Sequence, residues 1–451
     1  MTIEDIKSGP VSMIFRFSIP SIIAMVLTSL ITLVDGFFIG NYLGGEGLAA
    51  VNLGLPILYV YLAVGIMIAV GGIAMAGIAL GAGDIPRCNN VFNQTVVTAI
   101  TVSVLLSLAV GGLLGPLAKF LEMDLRVSRF FRDYYTLMIL AYPVMILNST
   151  LGMFIRGEGK PQVFMLITLA TVIVNIFLDF LFISRLHWGI KGIALASLIS
   201  VLTGLSGMLV NFKRGSRVFR FRRCSFSPVI LKDTLLNGSS ELIGQLSMGI
   251  SLFAYNWVIL RVAGVPGIAA FTVVGYMAYL FSMVIIGFGQ GASPLISFSC
   301  GAGEPGLARL IRRKTGLFVF MAGLTVMVLM MAGSDWYSRF FVKDQEVRHL
   351  VQSGLFLFVL SFLFSGINTI ASFYFTSLGK AGESALISSS RGLVVLLICI
   401  FTLPRFLGMT GIWLAAPLTE ALTLVLSLTL IRRSDKALGL AGIHRAAVHP
   451  H

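Results

Sequence analysis

Residues 44–50 read Gly44-Gly45-Glu46-Gly47-Leu48-Ala49-Ala50, and residues 264–270 read Gly264-Val265-Pro266-Gly267-Ile268-Ala269-Ala270. The two stretches lie 220 positions apart, and the same offset relates much of the chain to itself. Gly71 meets Gly291, Gly81-Ala82-Gly83-Asp84 meets Gly301-Ala302-Gly303-Glu304, Asn148 meets Asn368, and Gly159-Lys160 meets Gly379-Lys380. After a one-residue deletion, Gly189, Gly192, Ile193 and Leu195 meet Gly408, Gly411, Ile412 and Leu414. Chance does not hold one register over so long a stretch, so the chain is read as a tandem duplication. Its joint falls in the basic segment near residue 220, which sets an N-terminal lobe at 1–220 and a C-terminal lobe at 221–451. The repeated glycines suit close helix packing and tight turns, and so report the fold and not the chemistry.

What repeats is apolar. The 451 residues are 57% hydrophobic and 12% charged, with mean hydropathy +0.94. A run of about 20 apolar residues spans the hydrocarbon layer as a helix, because every backbone group must be satisfied within the segment. Such runs lie near 13–40, 51–80, 91–115, 131–155, 163–184, 190–212, 235–260, 268–298, 315–334, 349–378, 383–404 and 410–431. They leave no room for a soluble domain. Six spans per half is even, so both halves cross the membrane in the same sense. The predicted fold is an all-α integral membrane protein: twelve transmembrane helices in two parallel six-helix bundles, with pseudo-two-fold symmetry along the membrane normal. The lead-in carries Glu4 and Asp5 in place of the basic cluster of a cleavable signal, so none is expected.

The formal charge of +14 has a distribution that argues against a nucleic-acid partner. With a cytoplasmic N-terminus, the cytoplasmic segments hold 20 Lys or Arg, including seven from Lys213 to Lys232 and four from Arg309 to Lys314. The outer segments hold 11, diluted by Glu122, Asp124, Asp133, Asp335, Asp344 and Glu346. This excess puts both termini in the cytoplasm. Lys213–Arg223 reads as a topology anchor, with binding to membrane lipids of anionic headgroup as an accompanying role. Cysteines introduced near residues 215 and 310 should therefore resist an impermeant thiol reagent in intact cells, and one near residue 124 should label. Labelling from outside near 215 would reverse the orientation. Cys88, Cys224, Cys300 and Cys399 form no CxxC pair, and His187, His349, His444, His449 and His451 have no metal-ligand spacing. No nucleophile–base motif or P-loop is present, so a membrane-embedded enzyme is disfavoured and no cofactor is expected.

Chemistry should appear where one half carries what the duplication did not require. A carboxylate inside a span costs about 2.5–3.5 kcal/mol on the insertion scale, so each needs a reason. Asp35 lies in span 1; Asn175 and Asp179, four apart in span 5, share a helix face. Asp179 and Ser197 flank the outer turn at Trp188 by nine residues each, and Asp35 precedes the turn at Gly44 by nine. All reach about the same depth, so two carboxylates, an amide and a hydroxyl are expected to converge in the first half. Their counterparts in the second half are Tyr255, Val394, Ile398 and Ala416. Buried paired carboxylates suit a proton or sodium carrier: burial and like charge oppose a double negative charge, and oxygen ligands hold a hard cation. The alternative is that both acids merely fix helix packing.

In these residues the chain resembles the multidrug and toxic compound extrusion (MATE) family, in its bacterial DinF- and MepA-like branch. The resemblance runs through Asp35, Asn175-x-x-x-Asp179, and Gly189-x-x-Gly192-Ile193-Ala194-Leu195-Ala196-Ser197. It continues in Asn237-Gly238-Ser239-Ser240-Glu241 and Gly287-Phe288-Gly289-Gln290-Gly291-Ala292-Ser293-Pro294-Leu295. It implies antiport, in which protons (or sodium) enter while amphipathic, often cationic organic compounds leave. It also implies a multi-pass protein of the bacterial inner membrane, expected to work as a monomer. In that branch the residues matching Asp35, Asn175 and Asp179 form the cation site. Ser197 stands where relatives usually have Thr, which keeps the hydroxyl. Relatives with a second-lobe site have an acid in span 10, whereas Phe364-Ser365-Gly366-Ile367-Asn368-Thr369 has none. A lipid-linked sugar flippase of the same superfamily is the alternative; it would need a cationic cavity for pyrophosphate.

Three more intramembrane charges are candidates for substrate or cavity roles. Glu241 opens span 7, where it can attract a cationic substrate or sit favourably at a helix N-terminus. Arg391 and Glu420 flank the turn at Gly408 at similar depth and are expected to form a structural ion pair.

Overall fold

The computed structural model describes residues 2–223 and 225–448; Cys224, His449 and His451 lie outside the described residues. The chain begins with a short helix α1 (Ile3–Ser8), then α2 (Pro10–Leu53), α3 (Leu55–Gly81), α4 (Ile85–Phe120) and α5 (Leu125–Gly157). Helix α6 (Pro161–Asp179) runs on through a π-helical turn, Phe180–Arg185, before α7 (Gly189–Arg214). A non-helical connector leads to α8 (Pro228–Gly301), α9 (Pro305–Ala332) and the short α10 (Ser334–Phe341). Helix α11 (Gln345–Phe358) joins α12 (Phe362–Ser377) through a tight turn at Val359–Ser361. Helix α13 (Ala381–Ser389) passes through a second π-helical turn, Ser390–Val394, into α14 (Val395–Val448). No strand occurs among the described residues.

Ten continuous helices are long and apolar enough to cross a membrane. Two of them carry two crossings each. Helix α8 has 74 residues, roughly 110 Å by helix rise, more than three hydrocarbon thicknesses. It breaks at Gly264 (φ 61°, ψ −153°), and α14 breaks at Gly408 (φ 56°, ψ −134°). The result is twelve spans in two six-helix bundles.

The duplication has a backbone cause. Eight glycines have positive φ, and they form four repeat pairs: Gly44 and Gly264, Gly83 and Gly303, Gly159 and Gly379, Gly189 and Gly408. A Cβ in that region of φ/ψ costs about 1–2 kcal/mol, so each turn holds its glycine in both copies. One side-chain link is also duplicated. Asn148 Nδ2 donates to the Val201 carbonyl at 2.8 Å, and Asn368 Nδ2 to the Glu420 carbonyl at 2.9 Å, tying the fourth span of each half to its sixth.

The halves meet around their pseudo-axis by backbone-to-backbone contact. A Cβ on Gly71 would strike the Thr234 carbonyl and Gly238, and one on Gly291 would strike Phe17 and Ser18. Gly81 lies against Phe298 and Gly301, and Gly301 against Ile78. Small residues allow this approach where lipid-like side chains offer no hydrophobic gain from association. All these contacts belong to the end of the bundle that carries the chain termini, where Lys7 also pairs with Glu304 at 2.5 Å. Among the described residues, no hydrogen bond or ion pair joins the two bundles nearer the opposite end.

Candidate functional site

In the first half, α2, α6 and α7 bring four polar side chains into one apolar setting. Asn175 and Asp179 are fully buried and Ser197 nearly so, while Asp35 is half-buried. Ser197 Oγ donates to Asp35 Oδ2 at 3.2 Å. Asn175 and Asp179 adjoin the same carboxyl. Asp35 Oδ1, both Asp179 oxygens, and Asn175 Nδ2 and Oδ1 are buried without a partner. The four residues expected from the sequence are thus adjacent, with most of their hydrogen-bonding capacity unspent. Leaving five such atoms unpaired is costly, since each forfeits its hydration. A proton shared by the carboxyls, or a hard cation taking their oxygens, would relieve that cost. Asp179 closes α6 immediately before the π-helical turn, a type of distortion frequent at functional sites.

The second half differs, and one expected correspondence needs correcting. Val394 and Ile398 do not occupy the places of Asn175 and Asp179, because both are exposed, at 57% and 58%. Cys399 is buried instead and packs in one cluster with Tyr255, the counterpart of Asp35. The register between the halves is locally displaced by π-helical turns that fall at different points, Phe180–Arg185 in the first half and Ser390–Val394 in the second. Tyr255 stacks on Phe271 with centroids 4.7 Å apart, so the equivalent region is aromatic and apolar.

The charges of the second half form a closed network. Arg391, carried on the π-helical turn after α13, donates through Nε and Nη2 to Glu420 Oε1 at 3.1 and 2.7 Å, and through Nη1 to Thr369 Oγ1. Asn368 Nδ2 donates to Glu420 Oε2 at 2.7 Å, and Ser427 Oγ to Asn368 Oδ1 at 2.9 Å. Every acceptor of Glu420 is occupied, and its counter-charge is fixed to the chain. Glu241 stands apart: it is half-buried, with Arg391 as its charged neighbour, and makes no salt bridge among the described residues.

Sequence reasoning missed Arg156. It counts there as one more basic residue of a loop, yet it is 2% exposed. Its Nη1 crosses to the other bundle and donates to Gln290 Oε1 at 2.6 Å, and its guanidinium lies over the Phe164 ring at 4.3 Å. No carboxylate pairs with it among the described residues. The second-half counterpart, Thr376, is uncharged and bonds Asn237 and Ser240. The signal available in the sequence was this asymmetry, an arginine opposite a threonine in the repeat.

Comparison with known proteins places these features. The MatE family model matches residues 20–181 and 242–401. The multidrug export protein MepA of Staphylococcus haemolyticus is 23% identical over 419 residues, covering 92% of each chain. MepA of Staphylococcus aureus is 22% identical over 431 residues, covering 94% of each. A multidrug resistance MATE family transporter of the MOP superfamily, solved in an outward-facing conformation, superposes with TM-score 0.90 at 23% identity. That match covers 95% of this chain and 96% of the other.

Proposed function

The chain belongs to the MatE family, and from that membership we propose that it is a multidrug efflux antiporter, exporting amphipathic, often cationic organic compounds in exchange for protons. The observation that carries this reading is the cluster of five unpartnered buried atoms on Asp35, Asn175 and Asp179 of the first half. An antiporter needs a site whose charge changes during the cycle. The second-half acid, Glu420, is neutralised by its own arginine, whereas Asp35 and Asp179 have no fixed counter-charge among the described residues. An exchangeable cation therefore acts in the first half. The donor set is all oxygen on its acceptor side, so it also fits sodium. Protons are favoured because Asp35 and Asp179 adjoin each other and can share one.

The bundles touch at the end that carries the termini, so the cavity between them opens toward the other end. With the termini in the cytoplasm of a bacterial inner membrane, this is the outward-facing state, from which cargo leaves. Glu241, uncommitted to any salt bridge among the described residues, supplies a carboxylate for cationic cargo. Arg391 and Glu420 hold the neighbouring helices. Protonation of the first-half site biases the bundle only if the two states hold the proton with different affinity. Sealed vesicles give the test. An inward proton gradient without sodium should drive a cationic dye out of the protein-bearing compartment. Movement that requires sodium and ignores the proton gradient would overturn proton coupling.

A further inference from the structure

The connector between the bundles is bound along the start of α4 in a fixed register. Asn89 Nδ2 donates to the Val218 carbonyl at 3.0 Å, and Arg220 N donates back to Asn89 Oδ1 at 2.8 Å. Asn93 repeats the exchange with the Arg220 carbonyl and Arg222 N, at 2.9 and 3.0 Å. Gln94 repeats it with the Ser227 carbonyl and Ser227 N, at 2.8 and 3.2 Å. Glu158 secures the near end by accepting from Ser216 Oγ, Arg217 N and Val218 N. Each amide thus treats the connector as a neighbouring strand, using both its donor and its acceptor. The second-half counterparts of Asn89, Asn93 and Gln94 are Arg309, Arg313 and Lys314, so the ladder is not a product of the duplication.

A positive-inside anchor needs only charge, and a loose loop supplies it. Here the backbone is held so that Arg217, Arg220, Arg222 and Arg223 are all exposed, and their guanidinium groups make no hydrogen bond or ion pair among the described residues. No acidic residue lies between 213 and 232, and Glu158 is buried beneath the backbone it holds. Depth follows from the ladder. On α4, past the isolated exposed Ile85 at its first residue, the continuous exposed apolar stripe starts at Val97 and Ile100, which marks the edge of the hydrocarbon. Asn93 and Asn89 precede Val97 by about 6 and 12 Å of helix rise. Arg222 and Arg220, bonded to those two residues, therefore lie at and just beyond the headgroup layer, which is roughly 5–8 Å deep on each face. Phe226 and Val229, exposed at 68% and 64%, follow at the level of Gln94, against the acyl boundary.

We propose that this laddered connector is a binding site for anionic phospholipid, its arginines taking the phosphate headgroups while Phe226 and Val229 meet the acyl chains. The site is independent of the coupling ion and of the cargo. The test uses the full-length protein in bilayers of phosphatidylcholine with a minor fraction of phosphatidylglycerol, counting the lipids retained by mass spectrometry. The wild-type protein should retain phosphatidylglycerol selectively. The quadruple variant R217Q/R220Q/R222Q/R223Q should lose that selectivity by at least about tenfold, given the usual contribution of a basic side chain at an anionic surface. The double variant R222Q/R223Q should show a partial loss in the same direction. Variant R309Q/R313Q/K314Q, which removes nearly as much charge elsewhere, should retain it. Inorganic phosphate should not displace the lipid. Unchanged selectivity in both connector variants would overturn the proposal. So would an equal loss in the R309Q/R313Q/K314Q variant, or displacement by phosphate, which would make this a site for the free anion.

Discussion

Asp35→Asn or Asp179→Asn is expected to abolish gradient-driven export, to the background of empty vesicles, while the protein still reaches the membrane in normal amount. Each change keeps the shape of the side chain and removes the charge that a proton or cation must balance. Neither breaks a fixed ion pair, because among the described residues neither acid makes one. Folding is therefore spared, and at Asp179, whose buried oxygens have no hydrogen-bond partner, removing the charge even relieves a desolvation cost. Tyr255→Phe is the control. It alters the second-half counterpart of Asp35 by deleting a buried hydroxyl that has no partner, so its effect should be under about 1 kcal/mol on stability and slight on transport. Expression is read from membrane fractions and transport from dye movement in proteoliposomes. Normal transport by both Asp variants would make the cluster a packing feature and remove the basis for antiport.

Arg391→Met should act in the opposite way, through stability. It strands Glu420, 9% exposed, with its Oε1 deprived of both guanidinium bonds. Breaking a buried pair by removing one partner costs about 3–5 kcal/mol, and the residual exposure of Arg391 places this case near the lower end. Adding Glu420→Gln should recover most of the loss, because a neutral amide oxygen can still accept from Asn368 Nδ2 and no charge is left unpaired. Thermal unfolding in detergent reads both. If the single variant unfolds at the wild-type temperature, the network does not brace α12 against α14. If the double variant is no more stable than the single, charge pairing is not the source of its stability.

The cluster of Asp35, Asn175, Asp179 and Ser197 was legible before any coordinates, because intramembrane acids are conspicuous and hairpin counting gives depth. Depth does not give facing. Val394 and Ile398 stand at the right sequence offset and yet are exposed, because π-helical turns at different points of the two halves, Phe180–Arg185 and Ser390–Val394, shift the register where apolar residues do not mark it. The expected Arg391–Glu420 pair is present at 2.7 Å, but its closure by Thr369, Asn368 and Ser427 was not apparent, since serines and threonines are common throughout the spans and most bond their own helix.

The sequence by itself determined the twelve spans, the duplication and the half that holds the unpaired acids. These are properties of length, hydropathy and offset, which the bilayer thickness and the φ of a glycine turn impose locally. Only the tertiary structure decided which faces meet. In water an apolar stripe tells the inside of a helix from its outside, but in lipid both faces are apolar, and the pattern that would orient each span is absent. Rotation about each helix axis is then set by close approach at Gly71, Gly81, Gly291 and Gly301. That rotation buried Arg156 against Gln290 and left Glu241 without a salt bridge among the described residues. The connector's place beside Asn89, Asn93 and Gln94 was likewise decided in three dimensions, because an amide ladder between residues more than a hundred positions apart leaves no local mark on either.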